Sequence, residues 1–306
     1  MSKTAIIIDS AGSLPGSVCK KYNISFVPLT YTVNGDTQTD PCDEKAASEL
    51  FTSNAFNRKN DVYTTPPTVD DFENAILKKI EEGYNRIIVQ TVNRTQGETY
   101  SNANAALARV NKKLTDKSVT VRIMDSRTAF AGQGLMAIET IRRLLKEKSD
   151  DAVRRKMDKL SEKIHTFILP KEVRIAQKRS KTRNENSVST SQAFIADTLG
   201  IHPIVCNVND STHSPAKIRG FNKAAQALFS HASKCIESGL YSPIITVTYA
   251  GPLSELKELP GYKALSEQAA AKKLMLVPTV ASLAAGIYTS PGSLSLALAA
   301  EPQEWS

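Results

Sequence analysis

The 306-residue sequence is poor in the side chains that gather metals: it has four cysteines and four histidines, and the cysteines are far from one another. Cys19, Cys42, Cys206 and Cys235 form no Cys-x-x-Cys pair. That argues against a metal centre or a disulfide framework and fits a reducing compartment. No GxxxxGK[ST] cradle and no GxSxG elbow occurs, so the usual marks of phosphate-loop and serine-hydrolase chemistry are missing. No apolar signal region opens the chain, and the expectation is a cytoplasmic protein. Residues 274–300 carry no charge, but Pro278, Gly286, Pro291 and Gly292 interrupt them. They read as buried strands and turns rather than a membrane helix. Internal repeats and low-complexity tracts are also lacking.

The net charge of +8 is not concentrated. Its spread leads to the expectation of no nucleic-acid partner; a docking face for an acidic partner or an anionic ligand fits the charge equally well. The densest basic segment, 171–183, holds Lys171, Arg174, Lys178, Arg179, Lys181 and Arg183. It reads as a solvated loop, with nucleic-acid or membrane-surface binding as the other reading.

Two β-branched runs, in contrast, end on an Asp-Ser pair: Ala5 to Ile8 into Asp9-Ser10, and Val119 to Met124 into Asp125-Ser126. Uninterrupted Ile/Val runs are the habit of parallel strands buried on both faces. In open α/β sheets the ligand crevice lies beyond the carboxyl ends of such strands. Each pair either caps the next helix or helps form a shared polar site. Strands at 24–33, 86–92 and 119–124 alternate with helices at 68–82, up to about 114, 131–146 and 151–163, which implies βαβ units. Asn34-Gly35 and Asn209-Asp210 mark turns, and Asp43 and Thr68 mark helix starts. The second half reads as mixed α/β, with strands at 165–169, 204–208, 215–218, 244–249, 273–277 and 294–299 and helices at 221–236 and 254–272. The fold class is therefore α/β: a parallel-sheet N-terminal domain over 1–164 and a mixed α/β C-terminal domain over 165–306.

Gly132-Gln133-Gly134 begins a formal match to the dinucleotide fingerprint, but it lies beyond the strand end rather than on it. Helix packing through small residues accounts for it better, and no cofactor is expected. Three hydroxyl clusters lie beside strand ends: Thr64-Thr65 before Pro66-Pro67, Asn93-Arg94-Thr95 with Thr99, and Tyr288-Thr289-Ser290 before Pro291-Gly292. Such groups at helix starts suit carboxylate or phosphate oxygens.

Taken in order, these residues resemble the DegV family. The resemblance rests on Ile8-Asp9-Ser10 with Leu14-Pro15, Tyr22-Asn23-Ile24 leading to Val27-Pro28-Leu29, and Asp125-Ser126. It continues in Gln192-Ala193-Phe194, in Gly200 to Ile204, and in Lys217-Ile218-Arg219. The chain departs from the family where Thr-Ser-Gln-Pro becomes Thr64-Thr65-Pro66-Pro67, and where the Ser-Ser-x-Leu-Ser-Gly-Thr-Tyr loop becomes 93–100. Tyr288 stands for a family His, and Asn186-Ser187-Val188 for Gly-Arg-Ile.

The resemblance implies a bacterial lipid-binding subunit that is not itself an enzyme. Such a protein holds a long-chain fatty acid in an interdomain tunnel and presents its carboxylate to the catalytic subunit of a fatty acid kinase. The resemblance points to Thr64 and Thr65 for the carboxylate; Arg94, where the chain departs from the family, either adds a charged bidentate contact or points to solvent. Asp9, Ser10 and Ser126 would shape the mouth, and Asn93, Thr95, Arg219, Tyr288 and Thr289 are expected among the ligand-binding residues. No transmembrane segment is expected, and the reading leaves room for transient contact with a membrane surface. The alternative is an enzyme acting on a small anionic substrate at the strand edge, with Asp9 or Asp125 as base.

Overall fold

A computed structural model describes residues 3–116, 118–147, 150–182 and 200–305. Asn186-Ser187-Val188, Gln192-Ala193-Phe194 and Arg183 lie outside the described residues. The chain opens with β1 (Thr4–Asp9), α1 (Gly16–Tyr22), β2 (Ile24–Val27), β3 (Thr30–Val33), β4 (Asp36–Thr39) and α2 (Glu44–Thr52). Next come β5 (Val62–Thr65), α3 (Val69–Glu81), β6 (Arg86–Thr91), α4 (Thr99–Lys113), β7 (Thr120–Asp125), α5 (Ala131–Leu144) and α6 (Asp150–Ser161). The second half holds β8 (Ile164–Leu169), α7 (Val173–Thr182), β9 (Ile201–Val208), β10 (Ser211–Arg219), α8 (Phe221–Ser238) and β11 (Ile244–Tyr249). It closes with α9 (Leu253–Glu258), α10 (Tyr262–Ala271), β12 (Met275–Val280), α11 (Leu283–Thr289) and β13 (Leu294–Ala299).

Strands β2-β1-β6-β7 make a four-stranded sheet, parallel throughout, with Ile6 opposite Ile24 and Ile88. Both faces are covered. Ile7 and Val89 pack with Phe72, Ile76, Ala103 and Val110 of α3 and α4, and Ile8 faces Leu135, Met136 and Met157. The second sheet, β10-β9-β8-β13-β11-β12, is mixed; only β11 and β12 in it run parallel. A third, antiparallel sheet, β4-β3-β5, stands beside the first.

Helix α5 joins the two larger sheets. Its eleven residues from Ala131 to Ile141 are all buried, as a helix covered on every side requires. It packs with Ile8 and Ile88 of the first sheet and with Ile244, Val277 and Ala297 of the second. The two glycines in its first turn explain the fingerprint-like spacing. A Cβ at Gly132 would come 2.1 Å from the Thr166 hydroxyl, and one at Gly134 2.2 Å from the Ser13 carbonyl. They let the helix start press against both halves.

Local signals hold where they were strong. Asp43 caps α2 through the Ala46 N–H, and Thr68 forms a reciprocal capping box with Asp71. Other expectations change. Pro28 divides the expected strand at 24–33 into β2 and β3, which belong to different sheets. The expected helix at 254–272 is two helices broken at Pro260-Gly261. Thr64 and Thr65 sit on strand β5 rather than a loop, and the charge-free stretch contains a helix, α11. The basic segment is not a solvated loop: its first part is helix α7, with Val173, Ala176 and Arg179 buried along one side.

Candidate functional site

Beyond the carboxyl ends of β1 and β6 lies a cavity of about 420 Å³, closed by the third sheet on one side and α11 on another. Its apolar wall comes from Ala11, Leu29, Val92, Phe130 and Ala284, and its polar lining from Asp61, Thr64, Gln96, Glu98, Thr99 and Tyr288. A volume of this size falls within the range of small-molecule sites. Behind the wall the packing continues through Tyr31, Phe51 and Phe56, with Phe56 edge-on to both other rings. Phe51 lies against Gly286, where a Cβ would meet its ring at 2.1 Å.

Thr64 and Tyr288 meet across the cavity rim although they are 224 residues apart. The Thr64 N–H donates to the Tyr288 hydroxyl at 3.1 Å, and the two hydroxyls are also 3.1 Å apart. Helix α4 begins at this rim, and no side chain caps its first turn. The free N–H groups and dipole of a helix start favour an anionic group. The rim therefore offers hydroxyls and a helix start to a polar head group, above an apolar wall suited to a hydrocarbon tail.

Arg179, read in the sequence only as part of a basic segment, is 3% exposed behind this rim. It donates to the carbonyl oxygens of Ile287 at 2.6 Å, Phe56 at 2.8 Å and Asn57 at 2.9 Å. It thereby ties α11 to the loop before β5. Burial pulls its pKa down to about 10, against the favourable charges of Tyr288, Glu172 and Asp61. The buried spacing Val173, Ala176, Arg179 was its available sequence signal.

The other sequence-derived residues are distributed differently. Asp9 is fully buried; it accepts from the N–H groups of Ala11 at 3.0 Å and Val92 at 2.6 Å and from Gln133 Nε2 at 3.1 Å. Burial outweighs these bonds and raises its pKa to about 6. The Ser10 hydroxyl donates to Asp40 and accepts from the Leu29 N–H, while that of Ser126 donates to the Thr128 carbonyl. Asn93 is buried, and its Oδ1 accepts from the N–H and hydroxyl of exposed Thr95 in a local turn. Thr289 is also buried, its hydroxyl bonded to the Ala285 carbonyl. None of these groups lines the cavity.

Three residues of the expected site lie off this cavity. Arg94 does not reach the cavity: its guanidinium lies 3.0 Å from Asp210 and 3.6 Å from Asp125. Arg219 is exposed at the end of edge strand β10, paired with Ile201 and outside the cavity lining. Thr65 is exposed beside Thr64 and does not line the cavity. Asp9 and Asp125 do not line it either, so the acid/base alternative has no carboxylate at this site from those two residues. Among the described residues no cluster of three His, Cys, Asp or Glu side chains could hold a metal ion, and no helix is long and apolar enough to cross a membrane.

The chain is 27% identical over 312 residues to a DegV domain-containing protein of Xanthomonas axonopodis pv. citri, covering 99% of each. It is 27% identical over 230 residues to a fatty acid-binding protein of Thermotoga maritima, covering 74% of this chain and 75% of that one. Among solved structures, a stearic acid-binding protein from Eubacterium ventriosum matches with a TM-score of 0.79 and 19% identity, over 98% of this chain and 99% of the other. The fatty acid binding protein DegV from Bacillus subtilis matches with a TM-score of 0.75 and 18% identity, over 98% and 100%. The family model described as "Uncharacterised protein, DegV family" fits residues 3–301. With the expected parallel and mixed sheets both in place, this chain belongs to the DegV family.

Proposed function

We propose that this protein binds one long-chain fatty acid, with its tail in the cavity between the first sheet and α11 and its carboxyl group at the Thr64–Tyr288 rim. The observation that carries this reading is the cavity itself: an apolar wall beneath paired hydroxyls and an uncapped helix start. The fatty-acid-binding relatives of the same fold support it. Burial of the tail supplies most of the affinity, about 0.8 kcal/mol per CH₂ before the costs of association. The rim orients the head group and adds little. In this reading the protein presents the carboxyl group to a separate kinase and performs no chemistry of its own. A cytoplasmic location and a division of the chain near 164/165 into two units belong to the same reading.

Native mass spectrometry after incubation with palmitate or oleate tests it. One bound acid per chain is expected; bare polypeptide under all loading conditions would reject the proposal. Replacing Thr64 with Val removes one rim hydroxyl and should weaken binding about fivefold, the equivalent of ~1 kcal/mol. An unchanged dissociation constant would take Thr64 out of the head-group site.

A further inference from the structure

The residues that line the cavity at 96–98 belong to the segment between β6 and α4, and that segment is held from the other half of the molecule. The hold is made by the turn between β9 and β10. Asn209 and Asp210 both adopt positive φ, 45° and 64°, the conformation of a tight hairpin turn that favours Asn and Asp. From this turn Asp210 lies 3.0 Å from Arg94 and 3.7 Å from Arg127, and Asn209 Oδ1 accepts from Arg127 at 2.8 Å. Asp125 completes the cluster, accepting the backbone N–H groups of Arg94 at 3.2 Å and Arg127 at 2.8 Å. Two arginines and two aspartates thus cancel in charge where the halves meet.

We propose that Arg94, Arg127 and the Asn209–Asp210 turn form a latch that holds the 93–98 segment against the cavity, so that its opening sets how fast a ligand enters and leaves. The charges are partly exposed, with Arg94 at 48% and Asp210 at 21%. Pairs of this kind contribute little to global stability and weaken with salt. The latch therefore governs local opening of a loop rather than unfolding. Its residues are positioning residues, since none of them lines the cavity.

The proposal rests on the cavity as the ligand site, and its test separates the two claims. Stopped-flow exchange of the fluorescent fatty acid cis-parinaric acid is measured in the full chain, in Asp210→Asn and in Arg94→Gln. Salt is varied from about 50 mM to 1 M, a range that takes the screening length from well beyond the pair distance to near it. Exchange in the unaltered protein should rise with salt. Each variant should raise both association and dissociation rates about fivefold at low salt, with little change in affinity and a flattened salt dependence. Hydrogen exchange of the 94–98 amides, read without ligand, should accelerate in both variants. Unchanged rates with unchanged amide protection would overturn the latch, as would a fall in melting temperature with no change in either. Failure of any form to bind parinaric acid would overturn the cavity reading instead, and amide exchange would then decide the latch alone.

Discussion

Two Asp-Ser pairs end two strands of one sheet, and the structure uses them differently. Asp9 is the last residue of β1, which has a neighbour on each side in the order β2-β1-β6-β7; Asp125 is the last residue of β7, at the edge. At the central position the carboxylate is enclosed by the end of β6 and the start of α5 and satisfied by Val92, Ala11 and Gln133. At the edge it keeps 9% of its side chain exposed, organises a turn through the Arg127 N–H, and meets the Arg94 guanidinium of its own half. The serines diverge in the same way. The Ser10 hydroxyl, at the end of the first sheet, bonds Asp40 and the Leu29 N–H, which flank the β3–β4 hairpin of the third sheet, whereas the Ser126 hydroxyl bonds only within its own turn. Position in the strand order, not the dipeptide, decides whether a strand-end carboxylate fastens the interior or faces the rim.

The contrast can be broken by substitution. Replacing Asp9 with Ala leaves three buried donors without an acceptor and should cost about 3 kcal/mol or more. A melting temperature within error of the unaltered protein would refute the fastening role. Next in size is a pH effect. The raised pKa of Asp9, about 6 against an ordinary 3.8, means that the folded form holds its proton more tightly than the unfolded one. Its ionised form therefore penalises folding fully above about pH 6, and the penalty fades as pH falls toward 3.8. Urea midpoints from pH 7 to 4 should show this relief in the unaltered protein and not in Asp9→Asn; parallel curves would contradict it. Replacing Asp125 with Asn keeps one acceptor for the turn and should cost about 1 kcal/mol, with salt shrinking the difference. The smallest effect belongs to the serines: Ser10→Ala should lower the urea midpoint measurably more than Ser126→Ala, and equal losses would erase the distinction.

Much of the architecture was legible because its determinants are local. The Ile-rich runs gave the parallel strands, and Asp43 and Thr68 gave helix starts that their own side-chain bonds confirm. What stayed hidden depends on distant neighbours. Helix α11 is buried along its whole length, so it shows no apolar-polar alternation to separate it from a strand. Arg179 carries the charge of a surface residue and is interior because three carbonyl groups from two other segments enclose its guanidinium. Thr64 was identified from its hydroxyl and its proline neighbours, but its pairing with Tyr288 needed the fold. The pairing of Arg94 could not be read from the sequence, because its partner, Asp210, comes from a hairpin more than a hundred residues away.

The placement of α5 limits how this molecule can breathe. A protein whose halves met across a bare cleft could swing open like a clamshell. Here one helix is the keel of both, and parting them would flood eleven enclosed positions with water. Any passage for a guest molecule must therefore be made by small excursions at the periphery, while the hull stays shut.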